Sequence, residues 1–324
     1  MLPLKPTIFS ILLFFLFNTV FAQDYSSVDA KVRAYPDFAK PELLAAKIAA
    51  DFTTDELKAR AIFTWIASNI KYDVPQYFAS GGVRQAAFSY RTEAEKAQKE
   101  QQFKNQIVMQ TWRSGKAVCH GYSELYNFLA NQVGLESVLI PGVSKTHPTH
   151  IGKLPTVADH AWNAVKANGK WQLVDVTWAA GGIDGATKKF LQKFNDSYFF
   201  TDPEVFFLNH FPDDKRLLMI NKTPEEFARL PLYYGEYLSS EYTIVSPNDG
   251  IIRATAASIP FRINNFSGAR IAYVFSSNNT FHTVSPTVSG DTVEFDVPVS
   301  KGDSGFLTLY IGSSSVVTYK IQRG

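Results

Sequence analysis

A single cysteine in 324 residues, Cys119, excludes an internal disulfide and the small stapled folds that depend on several. Charge is equally unpatterned: the net charge is +2 and no Lys/Arg cluster stands out. Nothing there provides a footing for nucleic acid or an anionic surface as partner. Beyond the first 22 residues no apolar run is long enough to cross a bilayer. No internal repeat or low-complexity tract is present, which removes solenoid and fibrous classes. What remains is a globular composition, 45% apolar, whose 26 Phe and 15 Tyr read mainly as core.

The start of the chain carries Lys5, an apolar run from Ile8 to Phe17, and Val20-Phe21-Ala22. This is the layout of an export signal cleaved after Ala22, and the run is short for a membrane anchor. The expectation is a secreted or periplasmic protein with no integral membrane segment after cleavage. The roughly 300 residues left exceed what one core organises, so two domains are predicted, 23–238 and 239–324. Exported proteins usually pair their cysteines, so a lone thiol calls for a reason. An inert buried thiol is one, and a nucleophile is the other.

Helical periodicity runs over Pro41 to Ala50 and Asp55 to Asn69, with Thr53 to Glu56 matching a capping box. Thr92 to Trp112 reads as a solvated helix with Phe103, Ile107 and Val108 facing inward. Cys119 to Val133 repeats Tyr122, Leu125, Tyr126 and Leu129 at three- and four-residue spacing, and Gly134 stops it. Ser137 to Ile140 reads as a buried strand. His160 to Lys166 and Trp171 to Trp178 read as strands around the Asn168-Gly169 turn. From about residue 240 the chain is rich in Ser, Thr, Val and Gly, with short alternating runs from Tyr242–Val245 to Val316–Ile321. The fold class predicted is α+β: N-terminal helices and an antiparallel sheet, then a C-terminal all-β sandwich.

Chemistry concentrates in Cys119, His160 and Asp175, the thiol, imidazole and carboxylate that thiol-based acyl transfer requires. A helix beginning at Cys119 places the sulfur beside unpaired N–H groups, which favour an anion there and can cradle an oxyanion. Gly121 would leave the sulfur uncovered on that side. If Asn168-Gly169 is a two-residue turn, Asp175 opposes Trp162 and Thr177 opposes His160. His160 and Asp175 are then diagonal neighbours on one face, and a one-residue slip would separate them. Trp162, Trp171 and Trp178 stand either as cleft walls or as core. No metal or cofactor is expected: Pro148 keeps His147 and His150 off a shared helical face, and Asp184, Asp202, Asp213 and Asp214 form no calcium loop.

Gly115-Lys-Ala-Val-Cys-His-Gly-Tyr122, His160-Ala-Trp-Asn163 and Trp171-Gln-Leu-Val-Asp-Val-Thr-Trp178 resemble the transglutaminase-like superfamily of papain-type cysteine enzymes. Phe63-Thr-Trp-Ile66, Tyr198-Phe-Phe-Thr-Asp-Pro203 and His210-Phe-Pro212 are similar to its bacterial members and the kyphoscoliosis-peptidase-like group. The resemblance covers roughly residues 40–220. It implies Cys119 as nucleophile, His160 as base and Asp175 as the acid that orients it. It also implies an aromatic or amide oxyanion donor, for which Trp112 and Gln110 are the candidates. His120 departs from the Gln or Arg common at that position. The expected function is acyl transfer on peptide or protein amides, with hydrolysis ahead of transglutaminase cross-linking. The alternative is a non-catalytic binding module of the same fold. The sandwich has no catalytic constellation and would bind a protein partner or act as a spacer.

Overall fold

The computed structural model describes residues 24–80, 82–83, 88–255 and 257–323. The expected export segment, residues 1–22, lies outside the described residues. Among the described residues no helix is long and apolar enough to cross a membrane.

Helices α1 (Ser26–Arg33), α2 (Pro41–Asp51) and α3 (Asp55–Asn69) build the first layer. α3 buries Ala59, Ile62, Phe63 and Ile66 completely, so it is a core helix whose apolar surround outweighs any surface propensity. Each such large side chain contributes roughly 1.5–3 kcal/mol through burial. The cap of α3 differs from the expected box. Thr54, one residue later than expected, accepts from the Leu57 N–H, and Glu56 accepts instead from the Tyr25 hydroxyl. A buried ion pair joins α3 to α1 within this layer: Arg60 donates to both carboxylate oxygens of Asp29 at 2.9 and 2.6 Å.

Two short parallel strands, β1 (Lys71–Tyr72) and β2 (Lys116–Ala117), flank α4 (Val74–Ser80) and α5 (Glu93–Ser114) in sequence. Their pairing sets Tyr72 beside Ala117, just before α6 (Cys119–Gln132). Tyr122, Leu125, Tyr126 and Leu129 of α6 are wholly buried, the stripe anticipated from their spacing. Gly121 answers to packing rather than to access. A Cβ there would stand 2.6 Å from both Ala117 Cβ and Thr111 Oγ1, so only glycine lets α5 approach. This corrects the expectation that Gly121 bares the sulfur.

The central antiparallel sheet contains β3 (Ser137–Ser144), β4 (His160–Ala167) and β5 (Lys170–Val174). After β5 comes α7 (Val176–Ala180), followed by a separate hairpin of β6 (Gly181–Ile183) and β7 (Phe190–Gln192). The sheet is completed by β8 (Phe199–Thr201) and β9 (His210–Pro212), in the order β8-β5-β4-β3-β9. The Asn168-Gly169 turn has both residues at positive φ, 52° and 78°, as a primed hairpin turn demands. Its register pairs Ala167 with Lys170 and Asn163 with Val174, as the spacing required. The strand expected over Trp171 to Trp178 ends early, at Val174. Asp175 turns the chain by accepting the Trp178 N–H at 3.0 Å and caps α7. Thr177 therefore does not oppose His160, whose strand partner is Gly142 on β3.

A four-stranded sheet and a larger one form the C-terminal sandwich. Alternation along Ser258–Asn264 and Thr292–Pro298 buries Ile259, Phe261, Ile263, Val293, Phe295 and Val297 between them. The larger sheet also takes in Leu232–Tyr233, paired with Val317 and Thr318. The sandwich sheet thus draws on chain that precedes residue 239.

Candidate active site

Local bonds set the first turn of α6 against β4. Ser123 Oγ donates to the Ala161 carbonyl at 3.0 Å, and Asn163 Nδ2 donates to the Ser123 carbonyl at 3.1 Å. Tyr122 donates to the Ile70 carbonyl at 2.6 Å, which ties the same turn to the end of α3. Cys119, the first residue of α6, consequently faces His160, the first residue of β4. The Cys119 side chain lies close enough to the imidazole to raise its proton affinity. His160 Nε2–H donates to Asp175 Oδ2 at 2.7 Å, which leaves Nδ1 as the nitrogen for the sulfur. The three expected residues are therefore brought together.

Both ends of the His160–Asp175 pair are almost wholly buried. Burial alone would push the imidazole down, but the Asp175 charge, its hydrogen bond and Cys119 outweigh it and raise His160 to about 10. Burial likewise opposes ionisation of Asp175, yet the two imidazoles beside it hold the carboxyl below its ordinary range. The sign for stability follows from linkage. A proton bound more tightly by the folded state than by the unfolded one stabilises fully below the ordinary histidine value of 6.5 and fades as pH rises towards about 10. Unfolding free energy should accordingly fall across that window. A His160→Gln variant, compared by urea denaturation at the same pH values, should lack this component of the slope.

Two features were not foreseen. His210, on β9, also donates its Nε2–H to Asp175 Oδ2, at 3.0 Å. His160, Asp175 and His210 offer ligand-type atoms within 4.8 Å of one another. Both imidazoles, however, spend an N–H on the carboxylate, as in a hydrogen-bonded cluster. The second feature is closure. Cys119 is only 1% exposed, and a Cβ on Gly82 would stand 2.8 Å from its Sγ and 2.6 Å from the Asp159 carbonyl oxygen. Backbone thus lies directly over the thiol.

The aromatic candidates divide. Trp178 stacks on the His160 ring at 5.2 Å and 26°, and Trp162 lies 6.0 Å from it, fully buried beneath the sheet. Trp112 stacks on Trp65 at 4.9 Å in the packing of α3 against α5, and Gln110 is exposed on α5. Tyr72 and Tyr77 are aromatic hydroxyls that feel the sulfur: burial pushes both phenols up, and the Cys119 charge adds to each shift, with Asp175 adding at Tyr72 and Asp159 at Tyr77. The strand of Tyr72 is too short for any alternation to have flagged it. His147 and His150 each accept a backbone N–H on one ring nitrogen, from Thr149 and Thr146.

A family model described as transglutaminase-like superfamily matches residues 43–176, a span that contains Cys119, His160 and Asp175. Kyphoscoliosis peptidase of Mus musculus is 30% identical over 228 residues, covering 69% of this chain and 31% of its own length. The Homo sapiens kyphoscoliosis peptidase is 26% identical over 291 residues, 85% of this chain and 41% of its own. Hillarin of Drosophila melanogaster is 27% identical over 213 residues, 58% of this chain and 23% of its own. The chain therefore spans less than half the length of these curated relatives.

Proposed function

We propose, from a chain whose residues 43–176 carry the transglutaminase-like superfamily domain, an exported enzyme of cysteine-dependent acyl transfer on peptide or protein amides. The observation that carries the reading is one imidazole held between a buried carboxylate at 2.7 Å and the only thiol. In this reading the Cys119 thiol passes its proton to His160, and the sulfur attacks the amide carbonyl carbon to form a C–S bond. The C–N bond then breaks as His160 delivers its proton to the departing amine, leaving a thioester. His160 next takes a proton from the acceptor, which attacks the thioester and restores the thiol. Water as acceptor makes the chain a peptidase or amidase, and a lysine amine makes it a transglutaminase. Hydrolysis is the leading form, in keeping with the peptidase names of the mammalian relatives. In this proposal the N–H groups at the start of α6 and the Tyr72 phenol serve as donors to the oxyanion. The sandwich, residues 239–324 with the Leu232–Tyr233 strand, serves in this proposal to recruit a protein partner.

A second reading has one observation in its favour. The backbone over Sγ suits a non-catalytic binding module, since a substrate carbonyl reaches the sulfur only after Gly82 has shifted off it. Mass spectrometry separates the two. Full chain incubated with a peptide library and then acid-quenched should carry an acyl adduct on Cys119. Adding a primary amine should divert the acyl group from water if cross-linking is the reaction. A folded protein that forms no adduct and resists iodoacetamide at Cys119 would leave only the binding reading.

A further inference from the structure

His210 is a wholly buried imidazole that thiol acyl transfer does not by itself require. Its ring is stacked on Phe206 at 3.9 Å and 21°, and is walled by Trp178 at 4.4 Å and Trp162 at 5.0 Å. Nε2 is aimed at Asp175 Oδ2, the same oxygen that His160 Nε2 addresses, while Asp175 Oδ1 takes the Trp178 N–H. The carboxylate thus has three donors, and two of them compete for one oxygen. We propose that His210 is a positioning residue of the site, which locks the Asp175 carboxylate and limits how strongly it draws the proton on His160.

The chemistry follows from sharing. A carboxylate oxygen that accepts two N–H groups offers each a smaller share of its negative charge. His210 plays this part only while neutral and carrying its proton on Nε2. Burial favours the neutral ring, which Asp175 opposes and the neighbouring His160 charge reinforces. The Phe206 carbonyl, 3.3 Å from Nδ1, is the weaker of the two acceptors that the ring meets. Other ionisable groups facing this cluster are Cys119 from α6, against His160, the phenols of Tyr72, Tyr122 and Tyr198, each of which senses the Asp175 charge, and beyond the sulfur Tyr77, which senses Cys119 and Asp159. All four phenols are pushed up by burial and stay neutral at working pH. Of these ionisable groups His210 alone, beside His160 itself, donates directly to the carboxylate.

The proposal rests on the Cys119–His160–Asp175 reading, but it is tested on the imidazoles themselves, with or without turnover. Full-length protein labelled with ¹⁵N-histidine should show His210 as the neutral Nε2–H tautomer from pH 6 to 9. In His210→Phe, which keeps the stack on Phe206, the His160 titration should move up by about one pH unit, a tenfold change in proton affinity. His210→Gln restores a donor without titrating and should bring His160 back to its original midpoint. A cationic or Nδ1–H His210 in the unsubstituted protein would overturn the proposal, even if neither variant folds. So would a His160 midpoint that is unmoved in a folded His210→Phe, or moved equally by Phe and Gln. Failure of the catalytic reading shows up separately, as a Cys119 that never acylates.

Discussion

Cys119→Ala is expected to abolish acyl-adduct formation and turnover together, while the fold survives. No other thiol exists in the chain to substitute for it. The sulfur is buried beneath Gly82, so its removal leaves a small void and His160 loses one partner. That cost is on the order of 1 kcal/mol, well short of unfolding a domain with this much buried apolar surface. Circular dichroism and a melting curve would register the small loss, and an assay of amide cleavage or amine incorporation would register the large one. Activity retained in the alanine variant would exclude thiol chemistry altogether.

Asp175→Asn should cost turnover by about three to four orders of magnitude, because the amide holds the wrong tautomer of His160 and no longer stabilises its cation. The structure adds a second consequence. Asp175 accepts from His160, His210 and the Trp178 N–H, whereas asparagine has one acceptor oxygen and one NH₂ group. At least one of those three buried donors then faces another donor, so stability falls along with rate. Measuring single-turnover acylation alongside urea unfolding separates the two effects. A variant within tenfold of the unsubstituted rate would show that the carboxylate does not orient the base.

The division between what was readable and what was not has a physical logic at each residue. Helix α6 was legible because its buried stripe recurs at helical spacing and Gly134 takes a positive φ at its end. The Asn168-Gly169 turn was legible for a related reason. A turn with two positive φ values tolerates few residue types, and turn length then fixes the register of both strands. The true end of β5 was hidden, because Val174-Asp-Val-Thr-Trp178 satisfies strand alternation equally well. Asp175 chose the helical turn by capping Trp178, an event that depends on one side chain's hydrogen bond.

By itself, then, the sequence determined helices α2, α3, α5 and α6, the register of the β4–β5 hairpin, and which thiol, imidazole and carboxylate could combine. Those follow from local spacing and turn chemistry, which act over a few residues. Only the tertiary structure decided that Gly82 covers the sulfur, that Leu232–Tyr233 enters the sandwich sheet, and that His210 shares Asp175 with His160. His210 lies 35 residues beyond Asp175, on a strand of three residues that offers no period to read. It arrives at the carboxylate because β9 pairs with the far end of β3, setting His210 opposite Ser144. Sheet pairing at that distance is selected by burial of the whole layer, and no local pattern encodes it.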